Sequence, residues 1–294
     1  VLSIIGYLIV FGAVLGGFYE AGGPVLVLVQ IAEFIIIGGA TVGAIVASAP
    51  MKVLSALAKK VPKAMMGSGY DKAQYMELFH LLYEIFSTMR KQGDMALEKD
   101  VDKPAESAVF SKYAGFLKNE PARDLLCDSL RLVISGSANT EELSHLMDED
   151  IATHEQEAHR PINLLTRVAD ALPGLGIVAA VLGVIVAMGS IDQGSQVLGQ
   201  KIAAALVGTF LGVLLCYGFF QPLVIKMEML VQEDAKYLEC IKTGILAHVH
   251  GSAPIVSVEY ARRVIFSGER PSALELEEAC RSTRAQPRAE SQAA

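Results

Sequence analysis

Two apolar runs late in the chain, residues 172–190 and 202–220, constrain the fold more than anything else in the sequence. Each is almost free of charge and close to the ~20 residues that an α-helix needs to cross a bilayer core. Asp170 and Lys201 stand just outside them, so charge frames the crossings without interrupting them. Only residues 191–201 separate the two runs, too few for a domain. The sequence therefore requires an antiparallel pair of membrane helices.

The make-up of the pair says how it packs. Gly176, Ala179, Ala180, Gly183, Ala187 and Gly189 crowd the first helix, and Ala204, Gly208, Gly212 and Cys216 recur every four residues in the second. Lipid gives no hydrophobic reward for helix association, so the packing energy has to come from close approach of backbones. Thr209 is the one strongly polar side chain in the middle of either run. Two readings fit it: a hydroxyl bonded back to the carbonyl four residues earlier, or one that faces a pore or an ion.

Hydrophobic residues make up 52% of the 294, a share that two further apolar runs explain, residues 2–18 and 25–49. The fold class expected is all-α, a polytopic membrane protein with four transmembrane helices and a helical cytoplasmic subdomain. No basic residue precedes the first run and no small-residue cleavage site follows it, so it reads as a retained helix and not as a signal peptide. Lys52, Lys59, Lys60, Lys63 and Lys72 follow the second crossing, while residues 20–24 and 190–200 hold no lysine or arginine. The positive-inside rule then puts the long middle segment and both termini in the cytoplasm. The net charge of −7 carries no basic stripe, which argues against nucleic acid as a partner.

Five regions follow: a first helix pair at 1–49, a helical region at 50–167, a second pair at 168–222, C-terminal helices at 223–280, and a polar tail at 281–294 expected to be disordered. In the first pair, Gly12 and Gly16, then Gly39 and Gly43, have helix-packing spacing. Glu33 is the one charged residue of the run 25–49. A carboxylate at mid-membrane is a candidate ion ligand. A span over 30–49 fits equally well, however, and sets Glu33 near the outer interface. That placement is preferred, and Glu33 is not taken as a proton carrier. In the middle region, Tyr75, Leu78, Phe79, Leu82, Phe86 and Met89 form one face of an amphipathic helix that Gly93 ends. Asn139 or Thr140 with Glu142 supplies capping chemistry for a later helix.

Pro173 opens the third crossing and Pro222 follows the fourth. In an antiparallel pair both fall at one level, the cytoplasmic interface. A proline removes a helical hydrogen bond and fixes the place of a kink; the two are either ordinary punctuation near a helix boundary or, as the matched pair favours, a bend that passes membrane motion inward. Catalytic constellations are missing. In HEQEAH, at residues 154–159, the histidines are five apart, about 140° around a helix, and do not converge on a metal. The motif reads as a solvated helix face. Four cysteines are scattered without a CxxC pair, and no phosphate loop is present. Neither a metal, a cofactor nor an enzymatic reaction is expected.

The order of two early helices, a long helical insertion and two late helices resembles the MotA family, the stator subunits of the bacterial flagellar motor. The strings that carry the resemblance are GYLIVFGAVLGG, RLVISGSANTEEL, MDEDIATHEQEA, LPGLGIVAAVLGV, VGTFLGVLLCYGF and SGERPSALELEE. It covers essentially the whole chain. The resemblance implies a homo-oligomeric ring, a pentamer, around two copies of a MotB-like, single-helix, peptidoglycan-binding subunit that supplies the ion-binding aspartate. Such a ring turns proton flow into torque on the rotor's switch protein. It also implies that Arg90 and Glu98 engage rotor charges, with Lys91 and Lys99 able to share the task. The local alternative for Arg90 is an i,i+4 pair with Asp94. Pro173 and Pro222 match the family's coupling prolines, and Thr209 matches its threonine on the ion path. Ala180 stands where sodium-driven relatives carry threonine; without that oxygen, protons are the expected ion. Two alternatives are a related transducer driving a non-flagellar periplasmic system, and a solute transporter. The absence of two similar halves argues against the second.

Overall fold

The computed structural model describes residues 2–67 and 69–285, and every regular element among them is helical. In chain order these are α1 (Leu2–Glu20), α2 (Ile31–Ser48), α3 (Met51–Met66), α4 (Lys72–Gln92), α5 (Glu98–Asp102), α6 (Ala114–Leu117), α7 (Glu120–Ser135), α8 (Thr140–Met188), α9 (Ser195–Leu215), α10 (Gln221–Val249), α11 (Pro254–Val264) and α12 (Ala273–Ala285). The chain divides into two compact units, Val1–Gly67 with Glu157–Leu230, and Ser68–Gln156 with Val231–Ala294. Helices α8 and α10 contribute residues to both.

The first unit holds the membrane-crossing segments. Four helical stretches are long and apolar enough to span a bilayer: Leu2–Glu20, Val25–Ser48, and windows of Thr140–Met188 and Ser195–Val249. These are the four crossings that the apolar runs require. Within residues 173–188 of α8 the buried residues are small, Gly176, Ala179, Ala180 and Ala187, whereas Ile177, Val181 and Ile185 face outward. On α9, Ala205, Gly208 and Gly212 are buried together with Val207 and Leu211, whereas Ile202, Leu206 and Val213 face outward. The outward side chains are left for lipid, and the small inward residues allow the close backbone contact that supplies packing energy there.

Between α9 and α10 the helix does not stop. Residues Cys216–Phe220 form a π turn, in which the Gln221 N–H donates to the Cys216 carbonyl. Pro222 follows at once. In an α-helix its ring would clash with the carbonyl four residues back, and the wider i→i+5 turn relaxes that crowding. Helix α1 covers this irregular turn. The Tyr7 hydroxyl donates to the Phe219 carbonyl at 3.3 Å, and the two rings lie 4.7 Å apart.

The structure corrects the expected level of the prolines. A methyl group built on Gly212 would lie 2.5 Å from the Leu172 carbonyl oxygen, so Gly212 is the residue of the fourth crossing opposite Pro173. Pro222 stands ten residues further on, a helical rise of about 15 Å. The two prolines therefore mark staggered points and not one shared plane.

The second unit is a helical body with a continuous apolar core. Helix α4 buries the expected face, with Tyr75, Leu78, Phe79, Leu82, Phe86 and Met89 all inside. Asp71 and Gln74 form a capping box at its start, and Gly93, at φ +84°, ends it. Asn139 and Glu142 exchange the reciprocal capping bonds expected ahead of α8, at 3.0 and 2.9 Å. The four cysteines are buried and unpaired with one another. Burial pushes the Cys127 and Cys280 thiols up to about 12, which leaves them as inert core groups. Helix α12 runs on to Ala285, past Arg281 where the tail was expected to begin, with Arg281 paired to Glu277 at 2.6 Å. The rest of the expected tail, 286–294, lies outside the described residues.

Candidate functional site

The seam between α8 and α9 is a backbone-to-backbone contact. A methyl built on Gly176 would lie 2.7 Å from the Gly208 oxygen and 3.3 Å from Thr209 Cα; one built on Gly183 would lie 2.6 Å from Ala205 Cβ. One on Gly208 would meet the Ala179 Cβ at 3.0 Å and the Ala180 nitrogen at 3.1 Å. No side chain larger than hydrogen fits at these positions without moving a helix. The register thus brings Ala180 and Thr209, two of the sequence-derived proton-path residues, to neighbouring levels. Ala180 is buried and Thr209 is half-buried. Of the coupling prolines, Pro173 is half-buried inside α8 and Pro222 is exposed.

Glu33 is where the structure departs most from the expected arrangement. Helix α2 begins at Ile31, close to the span that was preferred, yet the Glu33 side chain is not at a wet interface. It is 5% exposed, and its Oε2 has no hydrogen-bond partner among the described residues. A methyl on Gly208 would lie 2.5 Å from that oxygen, and one on Gly183 would lie 3.4 Å from Oε1. The carboxyl therefore occupies the space that Gly208 leaves open, within ordinary contact distance of position 183. Gly208 stands six residues inside the apolar run 202–220, so the carboxyl lies against the membrane-crossing part of α9. The buried stripe of α2, Glu33, Ile37 and Thr41, repeats at four-residue spacing and was the available signal.

In the second unit, Arg90 and Glu98 are both exposed, at the last turn of α4 and the first turn of α5, and Lys91 and Lys99 beside them are exposed too. The i,i+4 alternative for Arg90 is not formed. Gly93 ends the helix before Asp94, so the spacing that would join them is lost. The Arg90 guanidinium instead donates to the Ser252 carbonyl at 3.4 Å. Behind it, His248 stacks on Phe86 with ring centroids 4.7 Å apart. Burial lowers its pKa below the usual histidine value; Asp94 opposes that shift and Arg90 adds to it. His154 and His159 are half-buried, not part of a fully solvated face, and no group of three His, Cys, Asp or Glu among the described residues is placed to hold a metal.

The sequence family described as Motility protein A N-terminal matches residues 4–93, and the MotA/TolQ/ExbB proton channel family matches residues 117–239. Motility protein A of Salmonella typhimurium is 44% identical to this chain over 283 residues, 96% of each. The chain belongs to the motility protein A family. Motility protein A of Escherichia coli shows the same identity and coverage. Chemotaxis protein LafT of Vibrio parahaemolyticus is 32% identical over 94% of this chain and 96% of its own. Two solved structures share the fold. That of C. jejuni MotAB has a TM-score of 0.75 at 20% identity, covering 92% of this chain and 98% of its own. That of the flagellar MotAB stator complex from Bacillus subtilis has a TM-score of 0.71 at 23% identity, covering 94% and 98%. As a member of this family, the chain has a general stator and proton-transducing role.

Proposed function

We propose that this chain is the proton-conducting subunit of a flagellar stator in a bacterial inner membrane, with both termini in the cytoplasm. Copies form a ring, a pentamer, around a dimer of a MotB-like subunit anchored to peptidoglycan. Proton flow through the complex is converted into torque on the rotor's switch protein through Arg90 and Glu98. The observation that carries this reading is the α8–α9 seam: two membrane helices locked backbone to backbone, with Thr209 and Ala180 at neighbouring levels. Neither crossing holds a carboxylate of its own between residues 172 and 220, except at its connecting turn, where Asp192 lies. The acid that ferries protons then comes from outside these two helices, which is what a MotB-like partner provides. Ala180 offers no side-chain oxygen to a hard cation, which favours protons over sodium. Pro173 and the π turn at Pro222 give two staggered points at which protonation can bend the helices. Motor speed in cells carrying this chain and its partner should follow the proton-motive force and ignore external sodium at constant membrane potential. A speed that rises with sodium under those conditions overturns the ion assignment.

A further inference from the structure

We propose that Glu33 is a proton-binding site carried by this chain itself, inside the membrane-spanning unit and additional to any acid that a partner supplies. The geometry is that of a built site. The carboxyl is 5% exposed, its Oε2 is unpartnered, and it fills a space that exists because position 208 is glycine. The elements packed against it offer no countercharge. The apolar runs 172–190 and 202–220, which hold the membrane-crossing parts of α8 and α9, contain no Lys, Arg or His. The nearest cation along α9, Lys201, lies seven residues before Gly208, about 10 Å of rise, and donates to the Ser190 hydroxyl. The other titratable groups between residues 168 and 222 are Asp170, Cys216 and Tyr217, with Asp192 in the connecting turn.

An isolated ionised carboxylate in such surroundings is costly, and taking up a proton removes the charge. The exchange balances simply: hydronium from the aqueous side gives its proton to the carboxylate, leaving a neutral acid and water, and release is the reverse. A metal ion is a poor alternative occupant. Thr41, the other buried and unpartnered oxygen of α2, is eight residues on, about 12 Å along the axis, and cannot share a cation with Glu33. Hard cations need several oxygens together. Gly208 also adjoins Thr209 and packs on Ala180, so the carboxyl lies at the depth of the proposed proton path.

Only the transport role of this site rests on the stator reading; the binding site does not. The complex with its partner, carrying an Asn in place of the partner's membrane acid, is purified and examined by infrared spectroscopy at neutral pH. A protonated-carboxyl C=O band should be present and should vanish in Glu33→Gln at unchanged complex yield. A band of equal area in both overturns the proposal. Should Glu33→Gln fail to accumulate, Glu33→Asp should shift the band, and an unshifted band overturns it equally. With the partner's acid restored, proton uptake into reconstituted vesicles should fall a hundredfold or more in Glu33→Gln, the loss of about 100- to 10,000-fold expected when a positioned proton-transfer group is removed. A smaller fall overturns the transport role. If the unsubstituted complex takes up no protons at all, the stator reading fails, while the infrared band still decides on Glu33.

Discussion

Replacing Gly212 with alanine puts a methyl group 2.5 Å from the Leu172 carbonyl oxygen, 2.9 Å from Gly176 Cα and 3.2 Å from the Gly176 nitrogen. All three are backbone atoms of α8, so no rotamer change can make room. Ordinary contacts are about 3.5–4.0 Å, and the helices must part by about 1 Å to restore them. Overpacking of this kind costs about 1–3 kcal/mol, a factor of about 5 to 150 in the folded population. The loss is set against the gain of about 0.5–1 kcal/mol that alanine brings to an open helix position. Gly43→Ala is the matched control, because nothing lies within 4 Å of a methyl built there. Thermal unfolding of the detergent-solubilised chain, followed by circular dichroism together with its yield in membranes, separates the two. Gly212→Ala should melt lower and accumulate less, and Gly43→Ala should match or exceed the parent. A Gly212→Ala chain that melts with the parent would refute the backbone contact and the register drawn from it.

Arg90 is exposed and donates to the Ser252 carbonyl, so Arg90→Glu should leave membrane yield unchanged and reduce swimming. A compensating charge reversal on the rotor should restore it; equal swimming without that reversal removes Arg90 from the torque interface. His248 has a folded-state pKa below its usual 6.5, so the unfolded chain binds more protons as pH falls through that value. The stabilisation is therefore complete above about pH 6.5 and is lost below it, and His248→Phe should flatten that part of the unfolding-versus-pH curve.

Much of this fold is legible in the sequence because lipid and water impose different patterns. The four crossings follow from apolar run lengths, and the inward faces of α8 and α9 from their small residues. The face of α4 and the cap at Asn139 are equally local. What stayed hidden depends on how distant segments pair. The run 25–49 is apolar throughout, so it admits several depths, and only contact with Gly183 and Gly208 fixes that of Glu33. The proline stagger is of the same kind, since it follows from Gly212 facing Leu172. Arg90 and Asp94 have the right spacing for a pair, yet Gly93 takes a backbone turn that the spacing does not register.

The π turn at Cys216–Phe220 marks a place where the chain carries one residue more than a regular helix needs. Its wider i→i+5 turn takes up that residue within about one turn, so the helix beyond keeps close to the phase that a plain α turn would give it. Deleting one residue there should restore an α turn and leave Val224, Met227 and Val231 on the buried side. What such a deletion removes is the room that the wide turn leaves around the Pro222 ring, so its cost falls on the proline and not on the packing that follows.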